Sequence, residues 1–325
     1  MMHEARGCTM NEIEAARGGA VLVDLSGRGI IEISGEDRVS FLHSQTTNDV
    51  KRLKPGEGCY AAMLTPKGRI IADMTILCLP DRILLDCEDE AAGTIAATLE
   101  KYHIMEDVRI EDVSGRTAHW GVVGPGAGAI LRSAGLGDFS GIPEWGIADA
   151  SLGGTPVRVF RRSLTGLPEF DILCSAEEGE KVGSALLMAG PMRVGPEVIE
   201  MLRIANGIPR FGRELTDEHF PAEAGIVEKA VSFTKGCYTG QETTARIRTY
   251  GGVKRFLVRL KVTEGDAPSL SESIQQDGVE VGSVTSAARL PSGEAAVLGY
   301  VRKEASQPGT KLQLASGSRA VVTAG

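Results

Sequence analysis

The feature that most constrains this chain is a change of texture at Gly251-Gly252. Beyond that pair, Phe256, Val258, Leu260 and Val262 alternate with Arg255, Leu257, Arg259 and Lys261, the period-two pattern of a half-buried strand. Strand-like runs at 278–286, 295–301 and 311–314 follow, punctuated by Gly, Pro and Ser. Residues 251–325 are therefore expected to form a small all-β barrel or sandwich. Before the pair, strands and helices are mixed, so residues 1–250 are read as α+β.

Within that first part, 20–25 and 29–34 are β-rich runs separated by the turn signal Ser26-Gly27-Arg28. Glu36 and Asp37 stand where a helix through Val39 and Leu42 would open, since the helix dipole favours carboxylates at its N-terminus. Strands are expected at 60–64, 69–79 and 81–87, the last two joined at Pro80-Asp81. Ala92, Ile95, Leu99 and Tyr102 recur at helical spacing in 88–103, which predicts a helix with one face on that sheet. Further strands are expected at 108–113, 118–123, 156–160 and 170–173, with helices at 127–135 and 176–189. The clearest helix is 196–206. Pro196 suits its first position, Ile199, Leu202 and Ala205 form an apolar stripe, and Gly207 suits the residue beyond its cap.

Composition narrows the function. A formal charge of −8 opposes a general nucleic-acid binder, which carries a basic face. No run approaches the ~20 apolar residues that span a bilayer. The N-terminal stretch 1–17 carries Glu4, Glu12 and Glu14 without an apolar core, unlike a signal or transit peptide, so a cytoplasmic location is expected. Six cysteines (Cys8, Cys59, Cys78, Cys87, Cys174 and Cys237) form no CxxC pair, and free thiols are the expected state. The five histidines show no HxH or HxxxH spacing, so no metal site is expected. Walker A, GxGxxG and GxSxG motifs are absent, which counts against nucleotide folds and the nucleophile-elbow hydrolases.

The most unusual segment is 234–246, TKGCYTGQETTAR. Glycines on both sides of Cys237 permit a tight bend that brings backbone N–H groups and sulfur towards a ligand. Lys235 and Lys229 would favour its thiolate if they face it; the alternative is a small buried cysteine in a turn. Between Thr243 and Thr263 stand six basic residues and no acid, a bias that suits an anion. Arg255, Arg259 and Lys261 are read as a solvated strand face, and Arg246 and Arg248 as the better ligand candidates. Asp73, in an otherwise apolar strand, is either edge-exposed or turned into a cavity with a partner. Inward, it could hold a heterocycle N–H and act as a proton acceptor. Glu223, between apolar and small residues, either pairs with an amino-pyrimidine edge or is an ordinary loop carboxylate.

The run KGCYTGQE at 235–242, continuing into Ala245-Arg246, resembles the signature of the YgfZ family. Asp24-Leu25-Ser26, Thr47-Asn48-Asp49-Val50, 68–73, Gly207-Ile208-Pro209, Gly212-Arg213-Glu214-Leu215 and 221–225 resemble the wider superfamily of the glycine-cleavage T-protein, an aminomethyltransferase. The resemblance implies an α+β fold whose subdomains form a ring around a folate cavity, with a C-terminal β-barrel. It divides the chain into a folate-binding, aminomethyltransferase-like domain at 1–250, made of two α+β subdomains, and a barrel at 251–325. It makes Asp73 the acid that contacts folate, Glu223 the pterin-binding glutamate, and Asn48, Tyr60 and Arg246 further folate contacts. Asp73 and Cys237 become the catalytic candidates, Cys237 within the motif Lys235, Gly236, Cys237, Tyr238, Gly240, Gln241 and Glu242. T-proteins usually carry Asp in the corresponding KGDFIGRE, and that departure favours a maturation factor over aminomethyl transfer. The implied function is a tetrahydrofolate-binding accessory protein for assembly or repair of iron–sulfur proteins, including tRNA-modifying enzymes. Its partners would be folate and iron–sulfur client or assembly proteins, with no direct nucleic-acid contact. The alternative is a folate-dependent one-carbon (aminomethyl) transferase.

Overall fold

Runs of apolar side chains on one face, cut by short polar turns, set the elements of the first unit. The computed structural model describes residues 9–323; Cys8 and His3 lie outside them. Helix α1 (Met10–Gly18) leads into strands β1 (Val21–Asp24) and β2 (Arg28–Ser34) and helix α2 (Arg38–Gln45). Strands β3 (Gly58–Leu64), β4 (Ile70–Cys78) and β5 (Arg82–Glu88), helix α3 (Asp89–Tyr102) and strand β6 (Arg109–Asp112) follow. These strands make an antiparallel sheet in the order β3-β4-β5-β2-β6. Helix α3 covers it with Ala91, Ala92, Ile95 and Leu99, all buried. Gly29 lets the helix approach, because a Cβ there would sit 2.8 Å from both the Ala92 Cβ and the Cys87 sulfur. Cys78 and Cys87 are buried in this unit and Cys59 is partly so, as free thiols.

Helix α2 starts two residues later than the acids at 36 and 37 suggest. The Asp37 carboxylate accepts the Asp107 backbone N–H at 2.9 Å, and Asp107 accepts that of Glu36 at 3.0 Å. The Asp37 carboxylate and the Glu36 backbone are thereby committed to tying the 35–37 turn to the 107 loop, and Asp37 makes no side-chain cap to the helix.

The second unit runs through β7 (Thr117–Val123), α4 (Ala127–Ser133), β8 (Ile147–Leu152), β9 (Thr155–Arg162), β10 (Glu169–Ser175), α5 (Gly179–Met188), β11 (Met192–Val194) and α6 (Pro196–Ala205). Its sheet has the order β11-β1-β7-β10-β9-β8, with β1 and β11 parallel and the other pairs antiparallel. Strand β8 is absent from the sequence reading. Its hairpin with β9 turns at Gly153-Gly154, whose φ values of +56° and +83° mark the turn for which a Gly-Gly pair is suited. Helix α6 carries Pro at its start and buries Val198, Ile199, Leu202, Arg203 and Ile204.

Two helices, α7 (Val227–Ala230) and α8 (Gln241–Tyr250), connect to a closed barrel of β12 (Arg255–Glu264), β13 (Ser273–Gln276), β14 (Val279–Arg289), β15 (Ala295–Arg302), β16 (Lys311–Leu314) and β17 (Arg319–Thr323). Inward-facing Val258, Leu260, Val262, Val297, Val301, Leu312, Leu314 and Val322 fill it. Closure leaves no unpaired sheet edge. Helix α6 docks on β14 and β15 through Arg203, which donates to Ser286 Oγ at 2.9 Å and to Glu214 at 3.1 Å. Among the described residues no helix is long and apolar enough to cross a membrane.

Candidate functional site

Where the three units meet they form a cavity of about 840 Å³ that is partly open to solvent. The first sheet contributes Arg28, Tyr60, Asp73, Asp86 and Glu88, and the second unit Trp145, Arg162 and Glu200. The barrel contributes Leu257, Arg259 and Leu298, and Lys229 stands exposed on α7. A volume of this size lies in the range of small-molecule sites, roughly 300–1,000 Å³.

Strand register places the central pair. Ala62 lies opposite Asp73 in the β3–β4 ladder, and Tyr60, two residues back on the same face, reaches diagonally to it. The Tyr60 hydroxyl donates to Asp73 Oδ2 at 2.9 Å. Asp73 Oδ1 is buried and has no hydrogen-bond partner among the described residues. Burial pushes the Asp73 carboxyl up to about 6; Glu88 adds to the rise, while the Tyr60 hydrogen bond and Arg28 oppose it. Asp73 thus takes the inward of its two possible orientations, as an acceptor short of a donor.

Trp145 stacks on Tyr60, with ring centres 5.6 Å apart and planes at 20°. Its backbone holds φ at +68°, a left-handed conformation that costs a tryptophan about 1–3 kcal/mol. The stack returns about 0.5–1.5 kcal/mol of that. Backbone bonds from Trp145 N to Arg161 O (2.7 Å) and from Ile147 N to Gly56 O (2.9 Å) hold the turn in place.

Beneath these side chains lies a buried charge network. Arg28 donates to both Asp86 oxygens at 3.0 Å and to Glu88, while Arg162 bridges Asp86 and Asp171. Burial alone would raise the Asp86 pKa, but Arg162 and Arg28 outweigh it and hold the carboxylate below its ordinary value. Glu169 shows the opposite balance: burial, with Asp171 beside it, pushes its pKa above the ordinary carboxylate value. Paired in this way, the charges tolerate an environment that would expel any one of them alone. This network joins β5 of the first sheet to β9 and β10 of the second.

The other residues singled out from the sequence lie elsewhere. Glu223 is buried behind the wall, its carboxylate 3.6 Å from both Arg69 and Arg255 and accepting the Phe220 N–H at 3.0 Å. Its neighbours Ala224, Gly225 and Ile226 line the cavity; its own side chain does not. On α6, Glu200 is an acid that does line it, and it is neutralised by Arg203 at 2.6 Å and Arg210 at 3.2 Å. Asn48 also stays outside; its amide donates to the carbonyls of Tyr60 at 2.8 Å and Lys229 at 3.1 Å, clamping the strand that carries Tyr60. Arg246 is exposed on α8, away from the cavity.

The cysteine motif is built around Lys235. Its ammonium is buried and donates to the carbonyls of His43, Thr46 and Asn48, and burial lowers its pKa to about 8. That charge is engaged with the 43–48 turn and does not serve Cys237, whose side chain is exposed and outside the cavity lining. Tyr238 packs in a core with Ala62, Leu64 and Ile70. Gly240, at φ +85°, closes on the 65–68 turn, where a Cβ would meet Thr65 O at 2.7 Å. Gln241 and Glu242 form the first turn of α8, to which the sequence reading assigned no element. Among the described residues no cluster of His, Cys, Asp and Glu could hold a metal.

Comparison with known proteins sets this geometry in context. The family model described as the GCVT N-terminal domain matches residues 3–235. The chain belongs to that family. A chloroplastic protein of Arabidopsis thaliana, provisionally named a transferase, is 34% identical over 313 residues, covering 96% of this chain and 72% of the relative. The aminomethyltransferase of Bacillus subtilis is 31% identical over 308 residues, covering 92% and 84%. The crystal structure of the glycine cleavage system aminomethyltransferase T from Bartonella henselae superposes with a TM-score of 0.87 at 22% identity, covering 97% of this chain and 88% of that one. At that identity the match establishes the fold: mixed α/β with a closed six-stranded C-terminal barrel.

Proposed function

We propose that this GCVT-family protein binds a reduced folate in the three-unit cavity. The observation that carries the reading is Asp73, a buried carboxylate with one oxygen satisfied by Tyr60 and the other lacking a donor. A buried acceptor without a donor costs stability until a ligand N–H meets it. Pterins carry such groups at their edge. Lys229 and Arg259, also on the cavity wall, suit the anionic glutamate tail. The residues therefore fit the ligand that the family resemblance implies. When bound, folate supplies a nitrogen that carries one-carbon units; Asp73 orients that ligand, and Tyr60 and the wall exclude water.

We further infer a role of the YgfZ type, in assembly or repair of iron–sulfur proteins, including tRNA-modifying enzymes, from the cytoplasm. Support comes from KGCYTGQE at 235–242 and from the exposure of Cys237, which leaves its sulfur open to a protein partner. The division into a folate-binding domain at 1–250 and a barrel at 251–325 belongs to the same reading. The second reading, a one-carbon transferase, is favoured by the raised pKa of Asp73, which suits proton transfer near neutral pH. Incubation with tetrahydrofolate and methylamine donors separates the two. Folate binding without turnover, with loss of cellular rescue in Cys237→Ser, supports the accessory role. Enzymatic formation of methylene-tetrahydrofolate by wild type and Cys237→Ser alike overturns it.

A further inference from the structure

We propose that Trp145 reads the ligand: together with Tyr60 it forms an aromatic clasp between the two sheets, and the part of its indole open to the cavity takes the face of a planar N-heterocycle. The heterocycle's name rests on the folate reading above; the clasp itself rests on geometry. Tyr60 belongs to β3 of the first sheet, and Trp145 to the turn that enters β8 of the second. The two rings stack at 5.6 Å, and the Tyr60 hydroxyl holds Asp73 at 2.9 Å. Tyr60 is therefore the shared neighbour of a π-face and of a buried acceptor that lacks a donor. Trp145 and Asp73 line the same cavity, so a ligand that is both flat and N–H-bearing can meet the indole and the carboxylate together.

Backbone conformation argues in the same direction. A non-glycine residue at φ +68° persists only where its surroundings impose it, and such residues gather at ligand clamps. Here the imposition is tight: a Cβ on Gly58 would lie 2.3 Å from the Trp145 carbonyl oxygen, so the first sheet presses on the turn that presents the indole. Among the described residues the indole N–H of half-buried Trp145 donates to no side chain or carbonyl, whereas Trp120, the other tryptophan, is 3% exposed and donates to Gly179 O at 3.0 Å. Trp120 completes a core. Trp145 is held at a cavity.

The same contrast supplies the test. In a Trp120→Phe background, emission reports Trp145 alone, and 5-formyltetrahydrofolate is the probe. Trp145→Gly keeps a residue at home with positive φ and removes only the indole; Trp145→Phe keeps a ring. Emission should change on titration, and dialysis should give an affinity about 10-fold weaker in Trp145→Gly with much of it regained in Trp145→Phe. Affinity in Trp145→Gly within about 2-fold of wild type, below the smallest stacking effect, overturns the clasp and leaves the folate reading standing. Absence of 5-formyltetrahydrofolate binding to wild type at millimolar concentration sinks the folate reading instead. The same titration is then run with riboflavin, guanosine and 6-methylpterin. Binding of any of them, measured by dialysis, that weakens about 10-fold in Trp145→Gly and is largely regained in Trp145→Phe retains the clasp, and no such loss with any of them overturns the clasp as well.

Discussion

Replacing Asp73 by Asn removes a titrating group from the cavity wall while keeping its shape. The Asp73 carboxyl stands at about 6 in the fold against an ordinary 3.8. A carboxyl whose pKa is raised by folding favours the native state only while protonated. Its contribution is intact below pH 3.8 and is lost as pH rises through about 6. At one pKa unit per 1.36 kcal/mol, the full loss is about 3 kcal/mol. Between pH 5 and pH 8 the linkage relation leaves about 1 kcal/mol of it. Denaturant unfolding of wild type and Asp73→Asn at those two pH values should therefore show the variant gaining about 1 kcal/mol on wild type at the higher pH. The same variant should bind 5-formyltetrahydrofolate more weakly, because its amide can turn either an acceptor or a donor to the ligand. A wild-type-to-variant difference that does not change between the two pH values would refute the claim that Asp73 is a desolvated carboxylate aimed into the cavity.

Three further substitutions separate support from contact. Lys235→Met strips the buried donor from the carbonyls of His43, Thr46 and Asn48 and should lower stability by roughly 2–4 kcal/mol in a melt. Gly240→Ala forces a Cβ to 2.7 Å from Thr65 O at φ +85° and should cost about 1–3 kcal/mol by the same measurement. Glu223→Gln loosens the ion pairs to Arg69 and Arg255 and should reduce stability by about 1 kcal/mol, discounted for the solvent exposure of both arginines. Folate affinity, measured by dialysis, should stay unchanged, because that carboxylate does not line the cavity; a large loss would return Glu223 to the ligand.

Much of the scaffold is legible in local pattern, and the site is legible only in part. Strand β12 announces itself by alternation, and α6 by Pro196, an apolar stripe and Gly207. Helix α8 escapes notice because it buries only Thr244 and has no apolar stripe to detect. Strand β8 carried a Gly-Gly turn signal that could have revealed it. Asp73 could be marked as unusual from one acid in an apolar strand, yet its orientation depends on β3 register and on Tyr60. No spacing rule connects Arg28 and Asp86 to the nearby pair Arg162 and Asp171, because the two sheets bring them together across separations of 58 and 76 residues.

What the chain determined by itself is its inventory: which runs are strands, where a barrel begins, which residues match a family motif. These follow from periodicity and turn chemistry, which act over a few residues. Tertiary packing decided which side of a wall each charge faces. It turned Glu223 towards two arginines, spent the Lys235 ammonium on three carbonyls and left Trp145 at the cavity beside an unsatisfied Asp73 oxygen. A buried charge takes its partner from whichever segment packing delivers, and that choice is made in space.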